Sequence, residues 1–308
     1  MLHQIKGIHH VTALASSPRA NNLFFTETLG LRRVKKTVNF DAPDVYHLYY
    51  GDALGTPGTA MTYFPFPNAT RGRPGTGEVG ETVFSVPGGS LPAWRARLDA
   101  AGVAKLAQDS RFGDDRLTFV GPDGERLALV VHDDPRMPWT DTVAPDTAIR
   151  GFHSATLTLA DVGPMAELLA FMGYDAVARN GTLHRFALPG SGNQARTIDL
   201  DLRPDLPRAD QGAGSVHHIA FAVENRARQL EVREALADAG YRVTPPIDRD
   251  YFMAIYFRTP GGVLFEIATD EPGFDRDEDR AHLGEALKLP SQHEHLRRKL
   301  ERVLEPLD

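Results

Sequence analysis

Apolar and polar residues repeat one order of elements four times along the chain: a strand, an amphipathic helix, and then several strands. The four units span about residues 5–66, 80–132, 150–202 and 214–269. A glycine follows each predicted helix, at the position where helices commonly end because glycine adopts a left-handed backbone without strain. These residues are Gly30, Gly102, Gly173 and Gly240. The pattern predicts an α+β protein made of four similar modules.

The predicted modules fall into two halves. The Pro- and Asp-rich segment Asp133–Ile149 separates the second unit from the third, so we expect an N-terminal pair of modules over residues 1–145 and a C-terminal pair over residues 146–308. The glycine-rich segment Asn68–Gly80 reads as a connector, since no strand runs directly into it as a phosphate loop requires. From Pro290 onward, apolar residues recur at helical spacing, which predicts a C-terminal helical tail for packing or oligomer contact.

The composition excludes several classes of site and partner. The 308 residues carry a net charge of −7 and no long basic run, which disfavours nucleic acid and anionic membranes as partners. Because the chain has no cysteine, any metal must be held by His, Asp or Glu. No stretch reaches about 18 apolar residues, and the N-terminus lacks the charged-then-apolar pattern of a signal peptide. We therefore expect a cytoplasmic protein, and the composition leaves open whether it is a homo-oligomer.

Two His-His pairs are the main candidates for chemistry. His9-His10 and His217-His218 each lie near the start of a strand-like apolar run, and a lone Glu266 lies in another such run. Two imidazoles and one carboxylate form the ligand set of non-haem Fe(II) oxygenases, which leaves coordination positions open. A buried glutamate without a partner would cost several kcal/mol. The sequence therefore predicts a metal site rather than isolated core histidines.

Strand alternation predicts which histidine of each pair is a ligand. Successive strand residues point to opposite faces. His218 shares its face with two alanines, whereas His217 shares its face with bulky apolar residues suited to packing under helices. If the small-residue faces line a concavity, then His10, His218 and Glu266 point inward together. His9 and His217 become neighbours that orient the ligands or the substrate.

Modules two and three look like a degenerate copy of this site. His153 aligns with the first, non-ligand histidine of each pair, and Ser154 occupies the ligand position. Module two has Val83 at that position, and Asp199 falls roughly where Glu266 falls in module four. We therefore expect one metal site in the chain rather than two.

Several segments together resemble the vicinal-oxygen-chelate superfamily and, within it, ring-cleaving dioxygenases of the hydroquinone 1,2-dioxygenase type. They are Gly7–Thr12, Tyr46–Tyr50, Leu54–Thr59, Arg150–Ser154, Val216–Val223, Arg258–Glu266 and Gly273–Asp279. The resemblance covers nearly the whole chain. It implies four βαβββ modules paired into two cup-shaped mixed sheets, with the metal in the cup that contains the first and last modules.

The resemblance also implies an activity and a metal. His10, His218 and Glu266 are the implied ligands of Fe(II), and Mn(II) fits the same ligand types. The implied reaction is O₂-dependent cleavage of a small aromatic diol. A hydroquinone is favoured over a catechol by the resemblance alone.

The resemblance further implies catalytic neighbours of the metal, namely His9, His217, Arg249 and Tyr251. Tyr251 is the expected partner of a phenolic oxygen, and His217 is the expected acid or base, because an imidazole exchanges protons near neutral pH. Arg249 would orient these groups and offset negative charge. The alternatives are that Tyr251 is a packing aromatic and that Arg249 belongs to a structural salt bridge.

Two other functions compete with ring cleavage. One is a metal-dependent isomerase or lyase of the glyoxalase type, which needs no O₂ and usually has more carboxylate or amide ligands. The other is a non-catalytic protein that binds aromatic or quinone compounds in an empty cup. The intact set of His, His and Glu argues against both.

Overall fold

The computed structural model describes residues 1–190 and 192–307 of the chain. Within these residues the elements follow the predicted order of strand, helix and further strands in each module. The strands are β1 (Ile8–Ala15), β2 (Arg32–Val38), β3 (Tyr46–Gly51), β4 (Ala60–Pro65), β5 (Glu78–Val86), β6 (Ala107–Arg111), β7 (Asp114–Val120), β8 (Arg126–Val131), β9 (Gly151–Leu159), β10 (Asp175–Asn180), β11 (Leu183–Ala187), β12 (Thr197–Leu202), β13 (Val216–Val223), β14 (Ile247–Asp248), β15 (Phe252–Arg258) and β16 (Leu264–Pro272). The α-helices are α1 (Pro18–Leu23), α2 (Leu91–Ala100), α3 (Gly163–Phe171), α4 (Arg226–Asp238) and α5 (Arg297–Val303).

The strands form two curled, eight-stranded mixed sheets. The first has the order β14-β15-β16-β13-β1-β4-β3-β2 and so combines the first and last modules. The second has the order β10-β11-β12-β9-β5-β8-β7-β6 and combines the two middle modules. In each module the first strand pairs with the last strand in parallel, and the two modules of a sheet meet through an antiparallel pair, β1 with β13 or β5 with β9. The predicted fold of four modules in two cups is confirmed.

Each sheet takes one module from each half of the chain. The predicted division between residues 145 and 146 therefore does not separate the sheets, and it stays a prediction about the two halves of the sequence. The segment between the halves is fixed by Arg136, whose guanidinium donates hydrogen bonds to the carbonyls of Gly58 (2.8 Å) and Phe152 (2.6 Å). One side chain thus ties the segment to both module pairs.

The helices cover the faces of the sheets that carry bulky apolar residues. Helix α4 begins at its N-cap Asn225, whose side chain accepts a hydrogen bond from the backbone of Arg228 (3.1 Å). It buries Val232 and Leu236 against β13, β15 and β16. The buried Gln229 amide also donates to two backbone carbonyls of the sheet. This packing leaves the other face of the sheet free to line a cavity.

Two helical predictions are only partly correct. The first predicted helix splits, because α1 gives way to a π-helical turn over Phe24–Thr28. The C-terminal tail forms a 3₁₀ turn over Ser291–Leu296 and then α5. After α5 the backbone of Leu304 becomes extended, so Val303 stays 57% exposed although Leu300 is buried. Among the described residues, no helix has both the length and the apolar character needed to cross a membrane.

Candidate metal centre and adjoining cavity

His10, His218 and Glu266 meet on the concave face of the first sheet. They lie on the neighbouring strands β1, β13 and β16, and all three are buried. The Nε2 atoms of His10 and His218 are 3.3 Å apart. Glu266 Oε2 lies 2.9 Å from His218 Nε2 and 3.5 Å from His10 Nε2. One ligand atom from each residue therefore falls within 4.8 Å of the other two, as strand alternation predicted.

Small residues make room for this convergence. Ala220 on β13 lies directly beside Glu266 on one side and His10 on the other. Because alanine ends at Cβ, no side chain fills the space between the two ligand atoms. The local sequence of alternating small residues in β13 thus leaves a gap that only the triad lines.

Hydrogen bonds fix the tautomer of His10. The Thr269 carbonyl can only accept, so His9 Nε2 donates to it (3.2 Å) and leaves His9 Nδ1 without a hydrogen. His10 Nδ1 then donates to His9 Nδ1 (2.9 Å), so that the lone pair of His10 Nε2 faces the triad. His218 has the matching contact, since its Nδ1 lies 2.8 Å from Nδ1 of His217. Such outer hydrogen bonds are typical of metal-bound histidines.

The carboxylate of Glu266 lacks a hydrogen-bond partner among the residues that the structure describes. Both of its oxygens are buried, and neither accepts a hydrogen bond from these residues, even though His218 Nε2 is close. Burial alone would raise the pKa of Glu266, and positive charge or donated hydrogens at His10 and His218 would lower it well below its usual range. With these imidazoles neutral and the lone pair of His10 Nε2 turned to the triad, a bound cation would have to supply that stabilisation of the anion. The carboxylate is therefore an anion that meets lone pairs in a buried space, which is costly unless a cation lies between them. The donor set fits a divalent metal ion.

The nearby histidines are neutral at neutral pH. Burial, followed by the neighbouring His10, lowers the pKa of His9 to about 3. Burial and His218 lower the pKa of His217 to about 4, and burial lowers the pKa of His218 itself. A neutral imidazole binds a metal without first losing a proton, so these shifts agree with the donor role of the site.

A cavity of about 580 Å³ opens beside the triad. This volume lies in the range of small-molecule sites, which are mainly apolar with a few polar groups. Its apolar wall is formed by Leu14, Phe40, Phe64, Phe66, Phe252 and Leu264. Its polar lining comprises Asn39, Asp41, His47, Tyr49, His217, Thr244, Arg249 and Tyr256, besides the triad. The cavity suits a substituted aromatic ring with polar groups.

Two of the four predicted neighbours line this cavity and two do not. His217 and Arg249 contribute to the lining. His9 lies behind His10 and contacts it, as the role of an orienting residue requires. Tyr251 lines a separate pocket, and its hydroxyl donates to Asp277 (3.1 Å). Tyr251 is therefore absent from the lining of the cavity beside the triad, and its contact with substrate stays a prediction.

The position of Tyr251 has a local cause. Asp250 before it adopts a left-handed backbone (φ 65°), so the chain turns before β15 begins. The ring of Tyr251 then packs below the buried Lys35 ammonium, 4.6 Å away. This is the packing role that was the alternative for Tyr251.

Sequence reasoning missed Tyr256, which takes the place expected for Tyr251. Tyr256 lies directly across from Glu266 in the pairing of β15 with β16. Arg249 Nε donates to the Tyr256 hydroxyl (3.2 Å), while the ion pair of Arg249 with the exposed Asp41 (3.7 Å) contributes little. Burial, and then Glu266, raises the pKa of Tyr256. Only the strand register, which local sequence does not reveal, identifies this residue.

The second sheet carries carboxylates at the positions equivalent to the triad. His10 pairs with the residue two positions after His218. In the second sheet, Glu81 pairs with the residue two positions after Ser154. Glu81, rather than the predicted Val83, is therefore the counterpart of His10, because β1 and β5 share one pattern of register shifts in which Val83 corresponds to Thr12.

Arginines occupy the space where a metal would lie in the second sheet. Asp199 is held by Arg185 through two hydrogen bonds (2.8 and 3.0 Å). Glu81 is paired with Arg116 (2.8 Å) and Arg111 (3.0 Å), and Arg111 also lies 3.6 Å from Asp199. These guanidinium groups neutralise the carboxylates, so the second cup needs no cation.

Replacing His153 with alanine should leave bound metal unchanged. His153 is buried, with its Nδ1 3.0 Å from the Ser154 hydroxyl, and it lies in the sheet without the triad. Metal analysis of the loaded His153→Ala protein is expected to match wild type, whereas His218→Ala should lose the metal. Loss of metal in His153→Ala would contradict the assignment of the two cups.

Known proteins place this chain in a family. A sequence model of the Glyoxalase/Bleomycin resistance protein/Dioxygenase superfamily matches residues 7–267. MhqO of Bacillus subtilis, provisionally named a ring-cleaving dioxygenase, is 42% identical over 100% of this chain and 98% of its own. The chlorohydroquinone/hydroquinone 1,2-dioxygenase of Sphingobium indicum is 35% identical, with 98% and 96% covered.

Solved structures agree with these relatives. A provisionally named dioxygenase from Bacillus subtilis superposes with a TM-score of 0.95 at 42% identity, covering 99% of this chain and 98% of the other. Glyoxalase I from Zea mays has a TM-score of 0.62 at 12% identity, covering 86% and 92%, and so shares the fold alone. The predicted enzyme class, a dioxygenase, is confirmed by the relatives. The chain belongs to the glyoxalase/bleomycin resistance protein/dioxygenase superfamily and groups with its ring-cleaving dioxygenases.

Proposed function

We propose that this protein is an Fe(II)-dependent dioxygenase that cleaves the ring of a hydroquinone-like diol with O₂. The observation that carries the proposal is the buried triad of His10, His218 and Glu266, whose carboxylate accepts no hydrogen bond, beside a cavity of aromatic size. The names of the relatives, among them a chlorohydroquinone/hydroquinone 1,2-dioxygenase, support the substrate class. Mn(II) also accepts His and Glu as ligands, so the donor set suits both metals, and Fe(II) is the one that we propose.

Bound Fe(II) supplies positive charge that favours the deprotonated phenol and open positions at which diol and O₂ come together. His10, His218 and Glu266 would hold it. The surrounding chain excludes water from this region, because the triad is buried and Phe252 lies with its ring 5.0 Å from that of His10. Exclusion of water strengthens every charge interaction within the site.

His217 is suited to donate a hydrogen bond into the cavity. When His218 Nδ1 donates to His217 Nδ1, the hydrogen of His217 lies on Nε2. The low pKa of His217, about 4, keeps the ring neutral. Its proposed part is to hold a substrate or oxygen atom through a hydrogen bond from Nε2, rather than to act as a permanent cation.

Arg249 and Tyr256 are proposed to bind the oxygen of the diol nearest Glu266. Arg249 keeps its charge at any physiological pH, so it offsets the negative charge of a phenolate. The hydroxyl of Tyr256, held by Arg249, lies across from Glu266 and can donate to the same oxygen. A pair of donors aimed at developing negative charge lowers the barrier of a reaction.

Replacing Tyr256 with phenylalanine should lower kcat/KM by about tenfold to hundredfold, the size expected for one hydrogen bond to a charged oxygen. Iron content should not change, because Tyr256 is not a ligand. Tyr251→Phe is the matched control, since its hydroxyl contacts Asp277 outside the cavity. Initial rates of O₂ uptake test the pair. Equal rates for wild type and Tyr256→Phe would remove Tyr256 from the proposal.

The test of the function itself is O₂ consumption by protein loaded with Fe(II) without oxygen present. Hydroquinones and catechols are compared, and ultraviolet spectra follow the ring-cleaved product. Parallel loading with Mn(II) separates the choice of metal from the choice of substrate. An isomerase or lyase would consume no O₂, and a binding protein would alter no substrate.

A further inference from the structure

A row of hydrogen bonds runs from β1 through β4 to β3, on the side of the first sheet away from the strand of Glu266. Thr12 Oγ1 lies 2.8 Å from Thr62 Oγ1, and Thr62 Oγ1 lies 2.9 Å from His47 Nε2. His47 Nδ1 lies 2.8 Å from the Tyr49 hydroxyl. All four residues are buried, and both His47 and Tyr49 line the cavity. The proposed chemistry of the triad does not use this row.

Strand register relates Tyr49 to Tyr256. Tyr49 on β3 pairs with Thr62 on β4, as Tyr256 on β15 pairs with Glu266 on β16. Thr62 in turn lies beside Thr12, two residues after His10, as Glu266 lies beside the residue two positions after His218. The two tyrosines therefore occupy equivalent positions in the first and last modules and face one cavity from its two sides.

Each tyrosine has a different partner. Arg249 donates to Tyr256 next to the triad, whereas His47 holds Tyr49 where module one has a threonine in place of the glutamate. One end of the cavity thus combines a carboxylate, an arginine and a hydroxyl. The Tyr49 side instead offers the neutral hydrogen-bonding groups of His47 and Tyr49, which suits an uncharged hydroxyl.

The four hydrogen-bonding groups can donate in either of two opposite orders along the row, and neither order requires a proton to be gained or lost. In one, Tyr49 donates to His47 Nδ1, and His47 Nε2 donates to Thr62. In the other, Thr12 donates to Thr62, Thr62 to His47 Nε2, and His47 Nδ1 to Tyr49, which leaves the Tyr49 hydrogen for a ligand. Burial raises the pKa of Tyr49 well above its usual value, so its hydroxyl keeps that hydrogen.

We propose that Tyr49, held in place by His47, binds the second hydroxyl of the diol and selects 1,4-diols over 1,2-diols. This inference rests on the proposed function, which puts the first hydroxyl at the triad. In the sheet, β3 lies two strands beyond β1, roughly 10 Å across. The hydroxyls of a catechol lie on adjacent carbons and both reach the triad. The second hydroxyl of a hydroquinone points away from it, toward Tyr49.

Part of the wall beside His47 is apolar. The ring of Phe64 packs 4.2 Å from the ring of His47 and 5.9 Å from that of His217. An apolar wall binds the ring of the diol but cannot satisfy its hydroxyl. Burying that hydroxyl without a partner is unfavourable. Loss of the Tyr49 hydroxyl should therefore weaken the binding of ligands that carry a 4-hydroxyl and should leave the binding of ligands that lack it unchanged.

Anaerobic binding of hydroquinone and of phenol to Fe(II)-loaded protein tests this inference. Tyr49→Phe should weaken hydroquinone binding about tenfold while phenol binding changes less than about twofold, since the lost hydrogen bond exists only with the 4-hydroxyl. His47→Leu should also weaken the binding of hydroquinone more than that of phenol, because Tyr49 loses the group that orients it. Equal weakening of both ligands, or no weakening of hydroquinone, would overturn the inference.

Tyr50→Phe is the matched control. Tyr50 follows Tyr49 on β3 but points to the other face, where its hydroxyl donates to Asn21 (3.1 Å). Loss of the Tyr50 hydroxyl should change the binding of neither hydroquinone nor phenol. Selective weakening of hydroquinone in Tyr50→Phe would show that the effect comes from general loss of packing and would also overturn the inference.

Failure of this inference can be told apart from failure of the proposed function. Wild-type protein that binds hydroquinone but consumes no O₂ with any diol contradicts the function, while the selectivity of Tyr49→Phe still decides the inference. If the wild type cleaves hydroquinone and the Tyr49→Phe variant loses no selectivity, then the inference about Tyr49 is wrong while the proposed function stands. Wild type that binds neither hydroquinone nor phenol contradicts both.

Discussion

Replacing Glu266 with glutamine should remove bound Fe(II) and ring cleavage together. The carboxylate is the proposed anionic ligand of the triad, and among the described residues its oxygens have no hydrogen-bond partner in the buried site. An amide keeps the shape of the side chain but not its charge, so the divalent ion loses its main electrostatic attraction. Because replacing a residue that merely supports a ligand already costs about 10-fold to 100-fold in affinity or activity, we expect a loss above that range.

Metal analysis after anaerobic loading, together with O₂ uptake, measures this effect. Glu125→Gln is the matched control, because Glu125 is also a buried glutamate but contacts Tyr63 rather than the triad. The control should keep both iron and activity. A Glu266→Gln protein with a full complement of iron and undiminished ring cleavage would show that the triad is not the metal site.

Replacing Arg185 with alanine should destabilise the protein by about 3 kcal/mol while leaving the metal site intact. Arg185 neutralises Asp199, which is fully buried, through two hydrogen bonds. Its loss leaves that carboxylate with Arg111 at 3.6 Å as a weaker partner. A buried charge stripped of its partner costs far more than an exposed one.

Urea unfolding of the metal-free protein measures this loss of stability. Arg203→Ala is the control, because the ion pair of Arg203 with Asp205 lies at the surface, and its midpoint should stay at the wild-type value. Iron content of folded Arg185→Ala should also match wild type, since the two cups are separate sheets. An unchanged unfolding midpoint would contradict the view that arginines replace the metal in the second cup.

Local sequence patterns were sufficient to predict the modules and to predict that His10, His218 and Glu266 lie together. Alternation along β13 separates His218 from His217, because successive strand residues must face opposite sides. Alanines beside His218 then identify the face that leaves space for a ligand. These inferences need only one strand at a time, which is why His10, His218 and Glu266 are found together.

The remaining lining residues depend on pairing between strands. Tyr256 faces the triad because β15 pairs with β16 in one register, and a tyrosine near Arg249 in sequence, Tyr251, lies elsewhere. The pairing of β5 with β9 likewise puts Glu81, and not Val83, at the position equivalent to His10. Register is set by bulges and turns over the whole sheet. Sequence motifs near a ligand therefore identify the neighbourhood of a site but not every residue that lines it.

Oxygen uptake with hydroquinone by the Fe(II)-loaded protein is the decisive measurement for the proposed dioxygenase, with the ultraviolet spectrum recorded in the same sample. We expect O₂ to be consumed in proportion to ring-cleaved product, and we expect Glu266→Gln to show neither. A protein that holds one iron per chain yet consumes no O₂ with any hydroquinone or catechol would rule out the dioxygenase and would favour a reaction without O₂ at the same triad.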